Sequence, residues 1–171
     1  AKNETDSKSG GYSRFVRKPH QLNAETIAKE AARRALDLLG AVQPKSGNYT
    51  VVFLNEVVTD LVSFLNIHLS AKKLDEGTSL FKDKIGQAVL SKKLTMVDDP
   101  FRTELGGARP FDSEGAPSQT TTLIEDGVLK SYLTNSYLAT KLSLKHTANA
   151  SRDGGEMGVS PSNTVISPGD A

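Results

Sequence analysis

The sequence contains no cysteine and no tryptophan. Without cysteine the chain can form no disulfide, zinc ribbon or thiol nucleophile of its own. That usage fits a reducing, cytoplasmic setting. Aromatic residues make up only 6% of the chain, so a core has to be built mainly from Leu, Val, Ile and Ala. No apolar run approaches the ~18 residues that a membrane span needs, and no membrane partner is expected. Charge of one sign is also missing: 21 Lys and Arg stand against 20 Asp and Glu, a formal net of +1. A nucleic-acid surface usually needs a basic stripe on one face. The longest basic cluster, "SRFVRKPH" at 13–20, reads as a short solvated arm, so nucleic acid is not an expected partner. The polar start "AKNETDSKSGG" has no apolar core of a secretion signal.

What is present suits one domain of 171 residues with an appendage. Residues 1–12 form a flexible polar leader, too poor in apolar side chains to offset the entropy of ordering. "NAETIAKEAARRALDLLG" predicts a helix with Asn23 as N-cap, Glu25 in the first turn and Gly40 past the end. "YTVVFL" at 49–54 is short, apolar and β-branched, and predicts a buried strand. A helix over 53–69 follows. "KLTMVDDP" reads as a strand stopped by Asp98, Asp99 and Pro100. In "TTTLIEDGVLKSYL", two strand-like runs flank Asp126-Gly127, which accepts the positive φ angles of a type I′ turn. This predicts a β-hairpin at about 120–133. A short helix over 136–144 capped by Asn135, a polar loop "HTANASRDGGEMGVSPS" and a last strand "NTVIS" complete the chain. The irregular order of these elements predicts an α+β fold, helices packed on an antiparallel or mixed sheet.

The candidate chemistry lies in "FLNEVVTDLVSFLNIHL". On a helical wheel Glu56, Asp60, Ser63 and Ile67 share one face, opposite Val58, Leu61, Leu65 and Leu69 as the buried stripe. Two carboxylates one turn apart can hold a hard cation or divide acid and base roles; they are equally ordinary surface acids near a helix N-terminus. The three histidines have no metal-ligand spacing: His68 falls at the edge of the apolar stripe as a packed, hydrogen-bonded residue, His20 is solvated, and His146 sits at a helix end. The acids of "FDSEGAPSQ", Asp112 and Glu114 beside Gly115 and Pro117, suit a tight turn closed by side chain-to-backbone bonds. No nucleophile elbow or phosphate loop is present. Residue chemistry taken alone leaves the function open.

The linear pattern adds more. "FDSEGAPSQTTTLIEDGVLKSYLTNSYLATKLSLKHTANASR" followed by "NTVISPGD" resembles the TldD/PmbA family, whose members carry the label modulator of DNA gyrase. "GTSLFKDKIGQAVLSKKLTMVDDP" and the helix "AKEAARRALDLLGA" extend the resemblance upstream. It implies that residues 13–171 are part of a PmbA/TldD-type C-terminal domain from a longer chain. It also implies a zinc metallopeptidase system, acting on peptide, built from two related subunits. The catalytic subunit carries His-Glu-x-x-x-His on a helix, completed by a distant cysteine. In this sequence the two histidine positions are Asn55 and Asp60, and only Glu56 is kept. The resemblance therefore implies a PmbA/TldE-like subunit with no zinc or other cofactor of its own and no catalytic residue. Its partner would be a metal-bearing TldD-like subunit or a second copy of itself. Two alternatives remain: an active metallopeptidase with an atypical site, or a regulatory binding protein acting on gyrase.

Overall fold

The computed structural model describes residues 1–167, so the "PGDA" segment lies outside the described residues. The chain divides into two compact units, residues 1–52 and residues 53–171.

The first unit is organised by α1 (Ala24–Asp37). Its N-terminus is the expected one: the Asn23 side chain accepts the backbone N–H of Thr26 at 2.9 Å, satisfying an otherwise orphaned donor. Residues 1–8 close into a turn in which the Ala1 ammonium donates to the Lys8 carbonyl at 2.7 Å. The Asp6 carboxylate accepts the Gly40 N–H at 3.3 Å. Arg34 stacks on the Tyr12 ring and pairs with Glu30. Ala35 is the one buried hydrophobic residue in this unit. Segment 49–54 is not a strand, a correction to the sequence expectation. No strand pairs with it among the described residues, and Val52 is 89% exposed. Its composition supplies β propensity, but a strand also needs a neighbouring edge to receive its backbone bonds.

The second unit carries the core. Helix α2 (Asn55–His68) and the short α3 (Ala71–Asp75) lead into a four-stranded antiparallel sheet. Its strands are β1 (Met96–Asp98), β2 (Thr121–Glu125), β3 (Val128–Leu129) and β6 (Thr164–Ile166), in the order β3-β2-β1-β6. This is the α+β architecture expected. The hairpin is also where it was expected: Asp126 and Gly127 adopt φ of 48° and 77°. Gly127 is required twice over, because a Cβ there would meet the Leu90 carbonyl oxygen at 2.4 Å. Residues 86–90 run along β3, with Gly86 and Val89 donating to the Leu129 and Gly127 carbonyls. That segment covers one sheet edge and leaves β6 on the other.

Beyond the hairpin, α4 (Ser136–Lys141) starts at its expected cap, Asn135, which accepts the Leu138 N–H at 2.8 Å. It ends earlier than 144 because Ser143 turns to a positive φ of 52°. The expected loop after it instead contains a second hairpin, β4 (Ala150–Asp153) and β5 (Glu156–Val159), joined through Gly154-Gly155. Its polar, alternating composition hid it, since one side of a two-stranded ribbon can face water.

Leu69, Phe81, Met96, Leu123, Ile124, Leu129, Tyr132 and Leu133 form the buried cluster, with Val62 and Leu65 of α2 packed against it. The C-terminal end of α2 is fixed by backbone bonds: Leu133 donates to the Leu69 carbonyl, and Ala71 donates to the Leu133 carbonyl. The stripe of α2 facing the core is thus Val62, Leu65 and Leu69. Leu61, expected to be buried, is 50% exposed, because the core-facing line steps back by four from Leu69 to Leu65 and then by three to Val62, which leaves Leu61 about 100° round the helix from Val62.

Candidate functional site

Helix α2 begins at Asn55 after an extended Leu54 that offers no side-chain cap. The Asn55 amide oxygen accepts the N–H of the next residue, Glu56, at 3.1 Å. Glu56 and Asp60 are both exposed. Farther along, Thr59 and Ser63 donate their hydroxyls back to the carbonyls of Asn55 and Thr59. The Asn66 side chain donates to the Thr164 hydroxyl at 2.8 Å and so ties α2 to the edge strand β6.

Two cavities adjoin this seam. One, of about 420 Å³, lies at the N-terminal end of α2 and is lined by Phe53, Asn55, Val58, Thr59, Thr164 and Ile166 among others. The other, of about 520 Å³, lies at the C-terminal end between Ser63, Asn66 and Ile67 of α2, Lys72, Lys73 and Glu76, and Val159–Pro161. Of the three positions singled out in the sequence, Asn55 lines a cavity, while Glu56 and Asp60 line neither. The lysines at the far end carried no signal in the sequence, because their place beside α2 depends on how α3 turns back.

Zinc does not fit the trio Asn55, Glu56 and Asp60. An Asn amide is a poor zinc ligand, and neither imidazole nor thiolate is present to complete a tetrahedral set. The Asn55 oxygen is moreover already used by the helix. Among the described residues the group of His and acidic side chains close enough to share an ion is a different one, Asp112, Glu114 and His146.

That second group is built as structure. Asp112 is buried, and one of its oxygens accepts the N–H groups of Glu114 and Ala116 at 2.9 and 3.0 Å. Its other oxygen accepts the N–H of Ala150 at 3.0 Å. The expected tight turn is therefore present, and it also holds β4. Glu114 accepts the Ser136 N–H at 2.9 Å and its hydroxyl at 2.6 Å. His146 Nε2 lies 3.9 Å from the Glu114 carboxylate. His146 is five residues past the end of α4 and lies instead at the N-terminal end of that helix, its Nε2 3.4 Å from the Ser136 hydroxyl as well as beside this acid. His68 is half-buried as expected: its Nδ1 accepts the Leu80 N–H at 3.3 Å, and its ring meets Phe64 edge-on. His20 sits exposed in a 3-10 turn.

A buried acid missed by sequence reasoning is Asp98, at the end of β1. It accepts from the N–H and hydroxyl of Ser162 at 2.7 and 2.8 Å and from the Asn149 amide at 2.6 Å. Burial pushes its carboxyl above the ordinary carboxylate range despite these bonds and the nearby Arg109 charge. No helix among the described residues is long and apolar enough to cross a membrane.

Comparison with known proteins places this geometry in context. The PmbA/TldA metallopeptidase C-terminal domain family matches residues 46–171. A metalloprotease of Methanocaldococcus jannaschii is 33% identical over 165 residues, covering 95% of this chain and 36% of that protein. The metalloprotease PmbA of Escherichia coli O157:H7 is 32% identical over 126 residues, covering 74% of this chain and 28% of that protein. Among solved structures, a proposed DNA gyrase modulator from Thermotoga maritima superposes with a TM-score of 0.89 at 32% identity, over 98% of this chain and 38% of that one. TldE from Thermococcus kodakarensis superposes with a TM-score of 0.70 at 25% identity, over 87% of this chain and 34% of that one. The chain thus spans about a third of the length of the relatives it matches.

Proposed function

The chain belongs to the PmbA/TldD metallopeptidase family, and from that premise we propose that it is a PmbA/TldE-like, non-catalytic subunit of a peptide-processing metallopeptidase. Its part is to shape the cleft in which peptide lies. Zinc and hydrolysis belong to a related TldD-like subunit paired with it. The observation that carries this reading is the donor set of α2. Asn55 and Asp60 stand at the two histidine positions, and Asn55 spends its oxygen on the Glu56 N–H. Glu56, the one position of the motif that is kept, then has no metal-bound water to act on. The two cavities flanking the Asn66–Thr164 bond supply a groove beside that helix. The open edge of β6 along it offers backbone groups to an extended chain.

The test is metal content and cleavage, with and without the metal-bearing subunit. The full-length protein alone is expected to hold no stoichiometric zinc and to cleave no peptide, and activity is expected to appear on pairing. One zinc per chain in the isolated protein, with cleavage that Glu56→Gln abolishes, would defeat the reading.

A further inference from the structure

The 520 Å³ cavity at the C-terminal end of α2 lies on the same side of the helix as Glu56 and Asp60. Residues three and four apart stack on one helix face, so Glu56, Asp60, Ser63 and Ile67 form one line. Ser63 and Ile67 are walls of the cavity. Charge changes sign along this line, from the two acids, through the hydroxyl and amide of Ser63 and Asn66, to Lys72 and Lys73. Lys73 is engaged with Glu76 at 2.6 Å. Among the described residues no carboxylate forms an ion pair with Lys72, which is exposed at the cavity. The lining therefore carries one positive charge that its own acid does not balance. Beside Ser70 and Ser160, the lining includes Ile67, Val159 and Pro161, whose apolar surface suits the methylene stem of a long side chain.

The spacing suits an extended peptide. From Asp60 to Ile67 the helix rises about 10 Å, which an extended segment covers in roughly three residues. We propose that this cavity is a subsite for an acidic side chain of an extended peptide lying along α2, recognised by the Lys72 ammonium. The inference rests on the peptide-cleft reading above and adds to it a substrate preference and a direction. The peptide's acidic residue sits at the α3 end, and its neutral or basic residues lie beside Asp60, where a second acid would be repelled. A lysine acts here as a point charge on a flexible stem, so the preference is for charge rather than for one planar geometry.

The experiment is fluorescence anisotropy with the full-length protein and labelled octapeptides that are identical except for one Glu, Gln or Lys. At low ionic strength the Glu peptide is expected to bind about five-fold more tightly than the Gln peptide, and the difference is expected to shrink at high salt. Lys72→Gln should abolish the difference and Lys72→Glu should reverse it. Lys82→Gln, an equal change in net charge at an exposed position elsewhere in the same unit, should preserve it. Equal binding of the Glu and Gln peptides by the wild type overturns the subsite and leaves the peptide cleft standing, as does a difference that survives Lys72→Gln. Failure of every peptide to bind overturns both.

Discussion

The acids of α2 and two buried acids, Asp98 at the end of β1 and Asp112 in its tight turn, occupy opposite physical situations. Glu56 and Asp60 are exposed on α2. Asp98 and Asp112 are 1% and 4% exposed, and each collects three donors, all from distant segments for Asp98 and one from a distant segment for Asp112. Ser162, for instance, lies 64 residues beyond Asp98. Buried polar groups must be satisfied in place, so the second pair holds the loops in one arrangement. Asp60 is exposed on α2 and can respond to a charge that enters the groove. Within this unit the constrained carboxylates Asp98 and Asp112 are structural, whereas Glu56 and Asp60 stand exposed on α2 and line neither cavity.

The largest effect should come from breaking the constrained side. Asp112→Ala leaves the N–H groups of Glu114, Ala116 and Ala150 without their acceptor, at a site that water reaches poorly. A loss of about 3–5 kcal/mol is expected, read as a lower urea midpoint and faster amide exchange at those three residues. Retention of wild-type stability would show that the turn does not depend on the carboxylate.

Asp98→Asn should cost less, about 1 kcal/mol near neutral pH. The new amide oxygen can still accept from Ser162. The Asn149 side-chain oxygen, which has no partner in the native arrangement, can turn to accept from the new amide. The informative quantity is the pH dependence. Burial raises the carboxyl pKa of Asp98, so the folded state holds its proton more tightly than the unfolded state does. The stability from this group is full below the unfolded pKa and is lost as pH rises through the raised folded value. The advantage of wild type over the Asn variant should therefore grow as pH falls through the acid range. A pH-independent difference would mean that the carboxylate is solvated after all.

A smaller, opposite effect is expected at Ala148. This residue is buried between Thr147, which bonds Thr134, and Asn149, which bonds Asp98, and it takes a φ of 54°. A left-handed conformation costs an alanine roughly 1–2 kcal/mol, part of which glycine's extra unfolded-state freedom offsets. Ala148→Gly should raise stability by about 0.5–1 kcal/mol, seen as a higher thermal midpoint. A lower midpoint would show that the Cβ packs well enough to outweigh the strain.

The contrast also explains what could be read from the sequence. Caps and tight turns are local: Asn23, Asn135 and Asp126-Gly127 act within a few residues of themselves, and each appears where its chemistry predicts. Asp112 was legible as a turn former for the same reason, but its bond to Ala150, 38 residues away, was not. Segment 49–54 has strand composition without a strand partner, and β4–β5 has strand partners without strand composition. In both cases the deciding term is tertiary. The site followed the same rule. Asn55, Glu56 and Asp60 stood out in the linear pattern, whereas Lys72 acquired meaning only when α3 folded against the end of α2.

The smallest stability effect should belong to the site itself. Asp60→Asn removes an exposed charge from the middle of α2, so its cost should stay within about 0.5 kcal/mol. The same substitution should move binding more than stability. Removing the acid lifts repulsion at the end of the groove opposite Lys72, so a peptide with two acidic residues three or four apart should gain affinity, while a peptide with one should change little. A large loss of stability instead would place Asp60 among the constrained acids. Equal gains for both peptides would mean that the charge acts as a general field, without the direction along α2 that the change of sign from Asp60 to Lys72 implies.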